Sequence, residues 1–165
     1  MIDLETGSVV LDGSGAGATT VGPSLSLSAF LASPLARGAM SFGVAVEWPC
    51  YHVGQHEVFG DPCAVALMFH GQQLDWVMLC PIAPAPPGDA GVAYDVDATL
   101  AVKARHDEWL AAKLGPPTSP ARGPVWSPLG TVAYDYPWGC IWSRYTPQDV
   151  SSMIGISYAR PRKRR

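Results

Sequence analysis

The sequence predicts an α+β fold, in which two main helices pack on a single antiparallel sheet built from hairpins and a meander. Three patterns support this prediction. Apolar runs flank the polar residues 70–73, an amphipathic stretch covers residues 98–114, and two aromatic-rich runs flank residues 147–149. Short polar turns between strand-forming runs indicate hairpins, whereas a period of 3.6 residues indicates a helix. We expect one domain over residues 1–159, because a chain of 165 residues can bury a continuous core.

The N-terminal elements are expected to be short. Residues 2–11 show a hairpin pattern whose turn contains Gly7, since glycine adopts positive φ at little steric cost. Residues 13–22 are rich in Gly, Ala and Thr without periodicity, so a loop is predicted there. Residues 24–35 predict a serine-capped helix that ends at Pro34. Its apolar face would comprise Leu27, Phe30 and Leu31.

The middle of the chain is rich in strand-forming residues. Residues 42–48 alternate and predict one strand, while residues 64–69 and 74–79 predict a hairpin. The apolar faces of this hairpin would carry Val65, Leu67 and Phe69 on its first strand, and Leu74, Trp76 and Met78 on its second. Ala64, Ala66 and Met68 point the other way, and the small residues among them predict that a helix approaches there.

The second helix is predicted over residues 98–114, with Asp97 as its cap and Gly115 at its end. Its amphipathic stripe would comprise Leu100, Lys103, Asp107, Leu110 and Leu114. We expect this helix to cover a face of the sheet, and residues 131–159 to supply the last strands.

The final hairpin contains the densest group of aromatic residues. Strand alternation places Trp138, Trp142 and Arg144 on one face together with Cys140. An exposed aromatic face with an arginine is typical of binding hot spots, so these three residues are candidate partner-binding residues. The alternative is that the same aromatic side chains belong to the core.

Charge is distributed unevenly along the chain. Residues 1–159 contain six basic and 14 acidic residues, which gives a net charge of −8, and residues 160–165 contain five basic residues. We predict a basic, disordered tail on an acidic body. An acidic body disfavours nucleic acid as the ligand of the domain, because phosphate binding requires the opposite field.

No cofactor or metal site is predicted. Cys50, His52 and His56 are close in sequence, but their spacing is irregular for zinc. The N-terminus has no signal-peptide pattern, and no apolar run is long enough to span a bilayer, so the prediction is a cytoplasmic protein without membrane contact. The oligomeric state stays open.

No catalytic constellation emerges from the sequence. Cys140 is a candidate nucleophile only if a histidine converges on it. His106 precedes Asp107 on the second helix, where adjacent side chains diverge by about 100° and do not face each other. A small enzyme that uses Cys140 or His106 stays open as an alternative to a binding domain, as does a regulatory or structural module without a tight partner.

Several motifs resemble those of a group of small bacterial α+β proteins. They are Leu-Glu-Thr-Gly at residues 4–7, His-Asp-Glu-Trp-Leu at 106–110, Leu-Gly at 114–115, the Trp-Gly segment at 138–147, and Ser-Ser-Met-Ile-Gly-Ile-Ser-Tyr at 151–158. Such proteins are similar to immunity or accessory proteins of contact-competition (polymorphic toxin) systems. The resemblance implies a non-catalytic protein-binding domain that neutralises a cognate toxin. If the cleft of that toxin is basic, the acidic body would attract it, and charge would be supplied by Asp61, Asp75, Asp89, Asp95 and Asp97.

Overall fold

The computed structural model describes residues 1–13, 17–42, 45–82, 95–118, 130–146 and 151–158. These residues form nine strands, two α-helices and a 3₁₀ turn at Pro34–Ala36. The predicted tail, residues 160–165, lies outside the described residues. In chain order the elements are β1 (Val9–Gly13), β2 (Gly17–Val21), α1 (Leu27–Ala32), β3 (Met40–Ser41), β4 (Cys50–Val58), β5 (Asp61–His70), β6 (Gln73–Pro81), α2 (Val96–Leu114), β7 (Thr131–Tyr136), β8 (Gly139–Thr146) and β9 (Ser151–Tyr158).

The fold is α+β and its strand pairs are antiparallel, but the prediction of a single sheet is wrong. Seven strands form one sheet in the order β3-β4-β5-β6-β9-β8-β7. The other two, β1 and β2, form a separate hairpin that pairs with β4 only through Asp12 and Glu57. One pair cannot continue the hydrogen-bond ladder, so the described strands fall into a two-stranded and a seven-stranded sheet.

The core lies on one face of the seven-stranded sheet. Val65, Leu67 and Phe69 of β5 alternate along the strand and are fully buried, as predicted. Ile154 and Ile156 of β9 lie in register with the buried residues of β6 and are buried as well. Each such side chain contributes about 1.5–3 kcal/mol by leaving water, so burial on this face stabilises the described fold.

The β5–β6 hairpin is confirmed, but the face predicted for β6 is wrong. Met68 pairs with Trp76, and the next residue, Phe69, pairs with Leu74, so Asp75 is an extra residue in β6. This bulge shifts the alternation by one residue. The residues of β6 that face the core are Leu74, Val77 and Leu79.

The first helix is short, as predicted. Ser26 caps α1 by accepting a hydrogen bond from the Ala29 N–H, and the helix ends before Pro34. Phe30 is buried and packs against the rings of Tyr51 and Phe69. The predicted apolar face is wrong at one position, because Leu31 is 53% exposed.

The second helix begins slightly earlier than predicted. Its cap is Asp95, whose Oδ1 accepts hydrogen bonds from the N–H groups of Asp97 and Ala98. It ends at Gly115, which has φ +82°. The buried residues of α2 are Lys103, His106 and Leu110. No described helix is both long and apolar enough to cross a membrane.

Two predicted loop or strand assignments near the N-terminus are wrong. Residues 17–21 form β2 instead of a loop, because they pair with the full length of β1 and bury Val21. Residues 45–48 form a turn instead of a strand, and Val46 is fully exposed. Apolar alternation there does not reflect burial, and the strand begins only at Cys50. Residues 43–44 lie outside the described residues.

The last described strand of the sheet is β7, and Thr118 contacts its outer edge. The Thr118 hydroxyl accepts a hydrogen bond from the Asp135 N–H at 2.7 Å and donates to the Ala133 carbonyl at 3.3 Å. Both backbone groups point away from β8, since neighbouring residues of a strand alternate in the partner they bind.

Candidate functional site

The two faces of the seven-stranded sheet differ in what covers them. α2 packs against β8 and β9 on the core side, where the His106 imidazole bonds the Ser152 hydroxyl. α1 packs on the same side through Phe30. Neither described helix packs on the opposite side, which we call the open face. The prediction of a helix over Ala64 and Ala66 is therefore wrong, since both residues belong to the open face.

A row of paired residues crosses the open face from β4 to β8. Adjacent members of the row lie directly opposite each other on neighbouring strands, so their side chains point the same way. The row runs through His52, Ala66, Met78, Gly155 and Trp142. The Trp142 indole covers Gly155, whereas the small side chain of Ala66 leaves space on this face.

A groove of about 260 Å³ lies on the open face. Its lining is mainly apolar and includes His52, Ala64, Ala66, Met78, Cys80 and Met153. Cys80 is exposed, and Phe42 at the rim is 49% exposed. Sequence reasoning missed this groove, although the small residues of β5 were its visible signal.

Trp142 and Arg144 lie together on the open face, as the alternation predicted. The Arg144 guanidinium carbon lies 4.9 Å from the centre of the Trp142 ring. The indole packs edge-on against Trp76, with ring centres 5.7 Å apart, and its N–H donates to Ser157 at 2.7 Å. These contacts leave Trp142 only 7% exposed. Trp142 is therefore a nearly buried, well-packed residue of the open face, and Arg144 lies over its ring.

Trp138 does not share that face, so this part of the prediction is wrong. It stands in the turn before β8, where strand alternation does not apply. Its ring stacks on Tyr136 at 5.0 Å and its N–H donates to the Leu4 carbonyl at 2.9 Å. Trp138 thus connects the N-terminal turn to the end of the sheet through this hydrogen bond and ring contact.

The candidate acidic residues occupy different environments. Asp95 and Asp97 are exposed at the start of α2, where negative charge complements the helix dipole. Asp75 is 7% exposed at the bulge in β6, so it is not a surface charge. Asp61 bonds the ammonium of Lys113 and the indole N–H of Trp109, both at 2.9 Å, and these contacts lower its pKa. Asp89 lies outside the described residues.

Cys50 and His52 share one face of β4, but His56 does not. The register shifts between His52 and Gly54, and this bulge turns His56 to the core side. There its Nε2 lies 3.1 Å from the Val53 carbonyl. No group of three metal-ligating side chains occurs within the described parts of the chain.

His106 is a buried histidine of α2. It is 3% exposed, and its Nδ1 lies 2.9 Å from the Ser152 hydroxyl. Burial lowers its pKa to about 4, so the imidazole is neutral at physiological pH. On one side it borders a pocket of about 210 Å³ between α2 and the ends of β5 and β6.

Cys140 and His106 do not converge. Cys140 lies on the open face, in register with Ser157, whereas His106 lies on the core side of the sheet. Burial raises the pKa of the Cys140 thiol, and Asp135 raises it further, which disfavours a thiolate. The two enzyme candidates are therefore separate, and neither forms a nucleophile–base pair with the other.

Searches with protein-family models, curated proteins and solved structures find no match to this chain.

Proposed function

We propose that this chain is a non-catalytic, cytoplasmic protein-binding domain that uses the open face to hold a basic protein partner. The observation that carries the proposal is the groove on that face, which is lined mainly by apolar side chains and is not covered by either described helix. An apolar groove can receive an apolar anchor of a partner protein, as the pockets at binding hot spots do.

The net negative charge of the body favours a basic protein as the partner. The body of the chain has a net charge of −8 over residues 1–159, so a basic protein would be attracted over a distance set by the ionic strength. The toxin domain of a bacterial contact-competition system is such a partner, because nuclease clefts are basic. The chain would then act as an immunity protein, as the sequence motifs suggest.

The groove and the tryptophan–arginine pair would have different roles in this complex. The groove around Cys80 and Met78 would receive an apolar side chain of the partner, since none of the described side chains fills it. Arg144 would contribute at the border, where its half-buried guanidinium already lies over Trp142.

Direct binding tests the proposal. The purified chain is titrated by calorimetry with the purified protein encoded beside its gene, and a Kd below about 1 μM is expected. The variant Cys80→Arg places a bulky charge in the groove and should weaken binding by about 100-fold or more. The matched control is Leu31→Arg, which adds the same side chain at an exposed position of α1.

A second readout locates the interface. Maleimide labelling of Cys80 should slow at least about tenfold in the complex, because an interface core excludes water and reagent. Both variants must retain the melting temperature of the parent for the comparison to hold. Absence of binding, or binding that Cys80→Arg and Leu31→Arg weaken equally, contradicts the use of the open face.

A further inference from the structure

A second concave site lies on the helix side of the domain, away from the open face. It is the pocket between α2 and the ends of β5 and β6. Trp109, Val102 and Ile82 supply apolar wall, and Arg105 and His106 supply polar groups. This combination of apolar walls and a few convergent polar groups is typical of small-molecule sites.

The size of the pocket limits its occupant. Its volume is about 210 Å³, which is smaller than the roughly 300–1,000 Å³ of pockets for drug-sized ligands. An apolar cavity of roughly 150 Å³ takes up benzene. The pocket therefore has room for one six-membered ring and a small head group.

The charges around the pocket favour an anionic head group. Asp61 is the acidic residue of the lining, but it already bonds the Lys113 ammonium and the Trp109 N–H. Arg105 is exposed at the pocket and forms no ion pair among the described residues. An uncompensated guanidinium at the mouth binds a carboxylate through two parallel hydrogen bonds.

His106 supplies a buried polar group at the same site. Its Nδ1 is engaged by Ser152, which fixes the ring and leaves Nε2 as the nitrogen available to a ligand. The ring is neutral at physiological pH, so it adds a hydrogen-bonding group without adding charge. Arg105 is then the group that distinguishes a charged ligand from a neutral one of the same shape.

We propose that this pocket binds a small aromatic monocarboxylate, with its ring between Trp109 and Val102 and its carboxylate on Arg105. The site is independent of the proposed protein-binding face, because its lining residues belong to α2 and the strand ends beneath it. Failure of one proposal therefore leaves the other unaffected.

Benzoate and benzamide form the test pair, since they have the same shape and differ in charge. Each is titrated up to about 20 mM into the ¹⁵N-labelled full chain, and the Trp109 indole and His106 ring signals are followed by NMR. Benzoate should shift both signals with a Kd on the order of 1 mM, as expected for so few atoms. Benzamide should bind at least about fivefold more weakly.

Two substitutions separate specific binding from general attraction to a cation. Arg105→Gln should weaken benzoate about tenfold and leave benzamide unchanged, because it removes only the charged contact. Arg37→Gln makes the same change at an exposed site outside the pocket and should change neither affinity. Val102→Trp fills the pocket and should abolish the response to both probes.

Three results overturn the proposal. One is the absence of shifts at Trp109 and His106 over the full titration. Another is equal affinity for benzoate and benzamide. The third is an equal effect of Arg105→Gln and Arg37→Gln on benzoate, which would mean that net charge alone attracts the probe. Unchanged backbone spectra of the variants confirm that each one is folded.

Discussion

The indole of Trp142 lies directly over the backbone of Gly155. A Cβ placed on Gly155 would lie 2.2 Å from Cζ2 of Trp142, well inside van der Waals contact. Gly155→Ala should therefore destabilise the domain by about 2–3 kcal/mol, because the ring must leave its position and its contact with Trp76. Urea unfolding followed by circular dichroism measures this loss.

A double substitution provides the control for this prediction. If the collision with the ring is the cause, Gly155→Ala should cost less than about 1 kcal/mol in a Trp142→Ala background. Equal costs in both backgrounds would show that the backbone at position 155, not the indole, requires glycine.

Lys103 and Asp107 form an ion pair in which only one partner is fully buried. The Lys103 side chain has no exposure, while that of Asp107 is 30% exposed, and their contact measures 2.5 Å. Asp107→Asn leaves a buried ammonium without its counter-charge and should cost about 3 kcal/mol. Lys103→Met removes the buried charge and should change stability by less than about 1 kcal/mol. Urea unfolding of both variants at neutral pH tests this order, and a larger loss for Lys103→Met would contradict it.

The buried imidazole of His106 should make stability depend on pH. Burial is the main cause of its low pKa of about 4, against an ordinary value of 6.5, with Lys103 and Arg105 lowering it further and Asp107 opposing them. Between these two values the unfolded chain binds a proton that the native protein does not. The unfolding free energy should therefore fall by about 3 kcal/mol as the pH is lowered through this window.

His106→Gln isolates that contribution, because glutamine does not titrate. The variant should lose about 3 kcal/mol less than the parent between about pH 6.5 and 4, while other groups titrate equally in both. His70→Gln is the matched control, since His70 is exposed at the β5–β6 turn. Parallel pH profiles for His106→Gln and the parent would show that the imidazole is not buried as described.

Cys80 should react with maleimide before Cys50 and Cys63. Cys80 is exposed and should be labelled first, although nearby atoms shield its sulfur and raise its pKa, so the reaction is slower than that of a free thiol. Burial raises the pKa of Cys50 to about 11 and that of Cys63 to about 12, so neither reacts in the native state. Mass spectrometry should find one early adduct, which Cys80→Ser removes. An early adduct at Cys63 would contradict the assignment of Cys63 to the buried face of β5.

Local patterns in the sequence predict much of this fold. The β5–β6 hairpin and α2 follow from polar turns, periodicity and capping residues, all of which act over a few neighbouring residues. The strand at residues 17–21 cannot be predicted from local patterns, because its pairing with β1 and not its own composition makes it a strand. The turn at residues 45–48 cannot be predicted in this way either, because alternating apolar residues predict a strand even where the segment is exposed to solvent.

The faces of the strands are harder to predict than the strands themselves. The bulges at Asp75 and near His52 each insert one residue, and every side chain beyond them changes sides. The open face could not be inferred either, since it depends on which side of the sheet the helices cover. Trp138 departs from the predicted face for a related reason, because it lies one residue before β8 begins.

The hydroxyl of Thr118 at the border of β7 has a consequence for how the protein associates. An unpaired strand border is a template on which another chain can add a strand and begin aggregation. Because Thr118 occupies one N–H and one carbonyl of that border, an incoming strand would have to displace it before it could form a regular ladder. The Thr118 hydroxyl therefore opposes the edge-to-edge addition of strands from other molecules. We expect Thr118→Ala to form fibres sooner than the parent protein during prolonged agitation.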